Sequence, residues 1–311
     1  MSSGKGDLSR LYKTTDGCRT WTLLFTNPDK EGFWDAIQIR FEGRAYPQRF
    51  NGILIGDPVD GKFSVFVTSD SGDTWTRWGR KGSGWKGPCG ERNAAALKDE
   101  AIFAASNQSL LLNTTPEAFL FITGGIRGSR VLFSNYSDWD GPPCSTNFLT
   151  DRLQIKHSGS SGAFAGAAPQ WDQWFPEKLV VVGGDYTQPE EPGAAFLLTQ
   201  KSTAVHVPFT SYFANPLSAQ TPPHGYRSSV AYDPTHKAWI TVGPNGTDIS
   251  RDDGKNWTAL HPSPNQPPNA DSDADKETDK NWNALSLPFV VGPHGRIGKL
   301  RDDALPPEVK P

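Results

Sequence analysis

Four carboxylates fall at matching places in a repeating pattern: Asp35 in "FWDAI", Asp57 and Asp60 in "GDPVDG", and Asp185 in "GGDY". Close by in the same frame are Trp34, Arg127, Tyr186, Tyr226, Arg227 and Trp282. Glycoside hydrolysis needs two carboxyl groups, about 5–5.5 Å apart for retention or about 6.5–9.5 Å for inversion, with one protonated as the acid. Trp and Tyr rings cover the apolar faces of sugars, and Arg can hold a hydroxyl or carboxylate. The expectation is a carboxyl pair drawn from Asp35, Asp57 and Asp185. Asp60, Trp34, Arg127, Tyr186, Tyr226, Arg227 and Trp282 would bind the substrate.

Several of these residues also have a plainer use. Asp57 and Asp185 follow turn glycines, where an Asp often caps its own turn. Asp35 heads an inner strand, where a backbone amide or an Arg such as Arg227 would pair with it. Most of the 11 Trp must pack between layers, Trp21, Trp75 and Trp257 first among them.

Other chemistries lack their residues. "SGSSGA" fails as a G-x-S-x-G nucleophile elbow, and no G-x-G-x-x-G joins a strand to a helix. The six His have no metal-ligand spacing, so neither a metal nor a cofactor is expected. A sialidase would need three Arg converging on a carboxylate, and Arg127, Arg130 and Arg227 show no match to its early Arg motif.

The elements that must carry the carboxylates are read from repeats. The octet [S/T]-x-D-x-G-x-[T/N]-W appears as "TSDSGDTW" (Thr68 to Trp75) and "SRDDGKNW" (Ser250 to Trp257), with a near copy "TTDGCRTW" (Thr14 to Trp21). A short strand precedes each octet and another follows its Trp. The Asp can accept backbone N–H groups across the turn, and the Gly allows positive φ. Degraded versions are "SNYSDWDG" and "TQKSTAVH".

A second repeat is an apolar strand running into a Gly-led turn, at Gly56, Gly124, Gly183, Gly243 and Gly292. A third precedes it and is made of small or mixed residues: "FWDAIQIRF", "AIFAASNQSL", "GAFAGAAP", "YRSSVAYD" and "WNALSLPF". Four strands in roughly 40–50 residues, repeated, describe a β-propeller blade. Strand starts and second-to-third-strand turns then face the mouth that holds the carboxylates. The octets lie on the opposite side, holding blades together.

The octets resemble the Asp-box (BNR) repeats of sialidases and related glycosidase propellers. "RLYKTTDGCRTWTLLFTNPDKEGFWDAI", "VVVGGDYTQPEE", "GYRSSVAYD" and "VGPNGTDISRDDGKNW" extend the likeness over nearly the whole chain. They resemble bacterial relatives of the photosystem II assembly and stability factor propellers, relatives often labelled glycosyl hydrolases. That resemblance implies a seven-bladed propeller and, in photosynthetic members, noncatalytic binding. This chain begins at the third strand of a blade, about one and a half blades into the family pattern. The fold expected is thus all-β: a propeller of five to seven four-stranded blades over residues 1–300, with an incomplete N-terminal blade. The leftover strands close the ring if "RLYKT" lies beside "WNALSLPFVVGPHGRIGKL"; otherwise an open blade edge invites a homo-oligomer.

Composition fits this reading, with 31 Gly and 26 Pro in 311 residues supplying turns. A net charge of −3 and no dense Lys/Arg stripe argue against a nucleic-acid partner. No apolar run approaches about 18 residues, so no membrane span is expected. "MSSGKGDLSR" lacks the apolar stretch of a signal peptide, and the compartment stays open. Cys89 and Cys144 could pair, or all three cysteines could be free thiols. The Pro-rich, charged stretch 261–280 reads as a mobile loop and 301–311 as a tail. Two functions are compatible with the residues: a glycosidase acting on a small or terminal sugar unit, or a noncatalytic scaffold binding a protein partner.

Overall fold

A computed structural model of the chain describes residues 1–42, 49–78, 94–113, 119–134, 149–169, 171, 176–200, 213, 215–260, 279–301 and 304–305. Cys89, Cys144, most of the expected loop (261–278) and the last residues (306–311) lie outside the described residues.

The fold is an all-β propeller of five antiparallel blades. An initial hairpin pairs β1 (Arg10–Lys13) with β2 (Thr22–Thr26). Blade 1 is β3 (Trp34–Glu42), β4 (Arg49–Val59), β5 (Lys62–Thr68) and β6 (Thr76–Arg77). The short strand β7 (Glu100–Ala101) leads to blade 2: β8 (Leu110–Leu112), β9 (Phe119–Ile122), β11 (Ser129–Phe133) and β12 (Leu149–Leu153). Between β9 and β11, β10 (Gly124–Gly125) pairs with β7 and with β13, extending the sheet of blade 3 on its inner side. Blade 3 is β13 (Ser161–Ala167), β14 (Lys178–Asp185), β15 (Ala194–Thr199) and β16 (Leu217–Ser218). Blade 4 is β17 (Ser229–Asp233), β18 (Ala238–Gly243), β19 (Gly246–Ser250) and β20 (Thr258–Ala259). Among the described residues blade 5 has three strands, β21 (Ala284–Ser286), β22 (Phe289–Val291) and β23 (Ile297–Lys299).

The second strand of each full blade is buried on both faces because successive side chains point to opposite neighbours. In β14, Leu179 and Val181 pack on blade 2, while Val180 and Val182 pack on blade 4. In β9, Phe119 and Phe121 meet blade 1 as Leu120 and Ile122 meet blade 3. Each such side chain contributes about 1.5–3 kcal/mol of hydrophobic stabilisation. That explains the continuous apolar runs.

The repeated glycines serve a different need from the turns expected of them. A Cβ at Gly56, Gly183 or Gly243 would collide with a backbone carbonyl at the head of the neighbouring inner strand: Phe33, Gly162 and Tyr226 respectively. Only a residue without a side chain lets the two backbones approach.

The octets occupy the turns expected. Thr68–Trp75 joins β5 to β6, and Ser250–Trp257 joins β19 to β20. Asp70 accepts the Thr74 N–H at 2.9 Å and the Thr68 hydroxyl at 2.8 Å, while the Gly72 N–H donates to Thr68 Oγ1. Asp252 and Asp16 repeat this pattern with Asn256 and Ser250, and with Thr20 and Thr14. Burial raises the Asp70 and Asp252 pKa values, but the hydrogen bonds outweigh it and the net direction is down. For exposed Asp16, the Thr20 hydroxyl is the largest cause of a pKa lowered to about 2.

Three expectations need correction. "AIFAASNQSL" is not an inner strand throughout, because Asn107–Ser109 forms a 3-10 turn that fills the middle of the ring. There Asn107 Oδ1 accepts the Ile37 N–H of β3, and Gln108 Oε1 accepts the Ser229 hydroxyl and Val230 N–H of β17. Gln108 Nε2 reaches the Leu285 carbonyl of β21.

The hairpin does not pair with blade 5. Ser2 instead turns back through the 3-10 turn Gly6–Leu8 to exchange backbone bonds with Arg10 on the β1 edge. Trp21 is correspondingly 55% exposed, whereas Trp75 and Trp257 are buried against the preceding unit. Among the described residues, no preceding unit packs on the hairpin.

The tail is anchored at its start. Leu305 is buried among Ile240, Ile249 and Trp282.

Candidate active site

At the head of blade 1 a cleft of about 360 Å³ opens between blades 1, 3 and 4. Asp35 and Asp57 form its polar wall. Both are there because the ladders slip. Trp34 pairs with Gly56 and Ala36 with Ile55, leaving Asp35 as the extra residue of a β-bulge. Gly56 pairs with Ser64 and Pro58 with Phe63, leaving Asp57 as the extra residue on the adjoining strand. A bulge re-aims a side chain that regular alternation would send into a blade interface.

Phe164 reaches the cleft by the same device, between Ala163, which pairs with Gly183, and Ala165, which pairs with Val182. It stacks on Phe103 at 4.3 Å between centroids and meets Tyr226 edge-on at 4.7 Å. Tyr186 lies edge-on to both phenylalanines, at 6.0 and 6.2 Å. Phe103 has room because Gly124 and Gly162 lie beneath its ring, where any Cβ would strike it. Phe33 and the segment Ile102–Ala105 complete the lining. Among the described residues the lining contains no Lys, Arg or His.

The two carboxyl groups have different environments. Asp35 is buried, and its Oδ2 has no hydrogen-bond partner among the described residues. Burial, then the neighbouring Asp57, pushes its pKa well above the ordinary value of 3.8. Asp57 accepts the Ile102 N–H at 3.0 Å. Burial raises its pKa too, and that hydrogen bond pulls it back. The pair thus has a member built to hold a proton and a partner better able to carry charge.

Of the residues nominated from sequence, Asp35, Asp57, Tyr186 and Tyr226 line the cleft. The others are placed elsewhere. Asp185 serves its own turn, accepting the Thr187 N–H at 3.0 Å and hydroxyl at 2.7 Å. Burial raises its pKa, but these bonds and those from Ser158 and Ser160 prevail and the net shift is downward. Asp60 and Arg127 are exposed, Asp60 in the turn after β4 and Arg127 in the turn after β10.

Arg227 is wholly buried in an ion pair with Asp248, adding bonds to the Tyr226 carbonyl and Asn245. Trp34 is fully buried and stacks on Phe25 at 5.3 Å. Trp282 wedges under blade 4 with Arg296 over its ring and its Nε1 donating to Asp279. Neither Trp offers a face to the cleft.

Sequence reasoning missed Phe33, Ile102, Phe103 and Phe164. The signal for Phe103 and Phe164 was present: each is a lone aromatic in a run of small residues, "AIFAAS" and "GAFAGAA". Among the described residues no group of three or more His, Cys, Asp or Glu could hold a metal ion, and no helix is long and apolar enough to cross a membrane. No protein-family model matches the chain, and no curated protein matches it.

Proposed function

We propose that the chain is a glycoside hydrolase acting on a small or terminal sugar unit, with Asp35 as general acid and Asp57 as the partner carboxylate. The observation that carries this reading is the pair of bulge carboxylates at one cleft, with burial and Asp57 raising the Asp35 pKa well above the ordinary carboxylate value. Aromatic walls suit the apolar faces of a sugar ring, and a cleft of about 360 Å³ suits one small unit. The likeness of the octets to Asp-box repeats of glycosidase propellers adds weight. A panel of chromogenic aryl glycosides tests it. At least one is hydrolysed by the wild type, and Asp35→Asn or Asp57→Asn lowers turnover by about 10²-fold or more without unfolding. Absence of hydrolysis across the panel defeats the proposal.

The noncatalytic scaffold is a second reading, supported by apolar surface at both ends of the blade order. Trp21 and Leu23 are exposed on the hairpin, as are Phe289, Val291 and Ile297 on blade 5. It also fits the resemblance to photosystem assembly-factor relatives. In this reading Arg227 contributes no contact, because its side chain is buried. Pull-down of a defined partner that is lost on Phe289→Asp and Ile297→Asp would favour it over hydrolysis.

A further inference from the structure

The cleft combines three features that select a ligand by charge. Its walls present the rings of Phe33, Phe103, Phe164, Tyr186 and Tyr226. Its polar side is two carboxyl groups, and among the described residues no basic side chain lines it. One carboxyl oxygen, Asp35 Oδ2, is buried without a donor among the described residues. The nearest arginine in sequence, Arg227, is committed to Asp248 and turned away from the lining.

We propose that this cleft binds an organic cation, a ligand carrying a protonated amine or quaternary ammonium group. Aromatic faces attract such a group through their quadrupoles, and a desolvated site strengthens that attraction. Asp57 and Asp35 supply the counter-charge, and an N–H donor would satisfy the orphaned Oδ2. An anionic ligand meets two carboxyl groups with no compensating cation among the described residues, so uronic and sialic acids are disfavoured. The inference rests on the shape and chemistry of the cleft and needs no turnover. If the hydrolytic reading also holds, the sugar favoured carries an amine.

Proton and ligand compete at Asp35. Among the described residues, the titratable groups facing it across the cleft are Asp57, Tyr186 and Tyr226. Burial raises the Tyr226 pKa, with Tyr186 adding to the effect, so Tyr226 stays neutral through the physiological range. Cation binding favours ionised Asp35, so affinity rises with pH until Asp35 has lost its proton.

The test is titration of the full chain with choline and with 3,3-dimethylbutanol, its neutral isostere, followed by calorimetry. Choline is expected to bind at least about tenfold more tightly at pH 8, where cation–π and carboxylate attraction act together. Its affinity should fall as pH is lowered and Asp35 takes up its proton. Asp35→Asn and Phe103→Ala should each weaken choline several-fold, with thermal unfolding confirming that the variants are folded. Equal affinity for the two probes, or no saturable choline binding by the wild type, overturns the proposal. Glycoside turnover is measured separately, so either reading can fail while the other stands.

Discussion

Asp35 and Asp57 are each the extra residue of a β-bulge, on two strands that pair with one another. In a regular ladder, alternate residues point into blade interfaces, where Ile53, Ile55 and Leu54 already fill the space on either side. Two slips in register free both carboxyl groups from that alternation and aim them into one cleft. The backbone contact between Gly56 and the Phe33 carbonyl is part of the same device. Any side chain at Gly56 would push the two strands apart.

The first prediction concerns Asp35 and pH. Its folded-state pKa is raised above 3.8 by burial and by Asp57. A raised carboxyl pKa means that the folded state binds the proton more tightly than the unfolded chain. Stability from this group is therefore fully present below about pH 4 and lost as pH rises through the folded pKa. Asp35→Asn, which cannot ionise, should raise the melting temperature at pH 8, and the gain should vanish toward pH 4. Thermal unfolding of both proteins across that range checks this. A gain that grows on acidification would contradict the assignment.

The octets make the second prediction. The place held by Gly72 and Gly254, with φ of 82° and 78°, is held in the first octet by Cys18 at φ 68°. A non-glycine residue in this left-handed region costs roughly 1–2 kcal/mol, of which glycine gives back part through its freer unfolded chain. Cys18→Gly should stabilise by about 0.5–1 kcal/mol. Asp70→Ala should destabilise by roughly 0.5–2 kcal/mol, by analogy with lost side-chain caps, and leave cleft chemistry unchanged. Urea denaturation measures both.

How far sequence reached can be judged from these residues. The octets were legible because their hydrogen bonds are local: Thr68, Asp70, Gly72 and Thr74 lie within seven consecutive positions. Apolar runs and glycines gave the blades for a similar reason. Asp35 and Asp57 were legible as mouth residues because they follow the repeat frame. Asp185 and Arg227 follow that frame equally well, yet Thr187 and Asp248 claim them. What competes for a polar side chain is decided by nonlocal packing, which no repeat encodes. The bulges and the 3-10 turn in the ring were hidden likewise, since both depend on register between strands distant in the chain.

The third prediction separates equivalent tryptophans. Trp75 packs against Leu11 of the hairpin, and Trp257 against blade 3 with its Nε1 bound to the Gly254 carbonyl at 2.9 Å. Replacing either with Ala should cost about 3–5 kcal/mol. Trp21, exposed on the hairpin, should cost no more than about 0.5 kcal/mol. Denaturant midpoints of the three variants provide the comparison. A large loss at Trp21 would mean that another surface covers it in solution.

The last prediction tests whether the turn in the ring supports the cleft. Gln108 accepts the Ser229 hydroxyl at 2.6 Å and the Val230 N–H at 2.9 Å. Ser229 and Val230 are fully buried, so Gln108→Ala leaves their donors without that acceptor. An orphaned buried donor costs roughly 1–3 kcal/mol, and the substitution should lower stability by that amount. Ser106 Oγ, which donates to the Ser228 carbonyl, ties the same segment to blade 4 just after the cleft-lining residues 102–105. Loosening it should let Ile102 drift from Asp57, whose carboxylate depends on the Ile102 N–H. A second effect is then expected in Gln108→Ala: weaker ligand binding in the cleft at temperatures where the protein remains fully folded. Gln108→Glu keeps the acceptor for both donors but loses the Nε2 bond to Leu285 and places a charge at a half-buried position, so it should not fully restore stability. If Gln108→Ala lowers stability while cleft affinity is unchanged, the turn fills the ring without positioning Asp57.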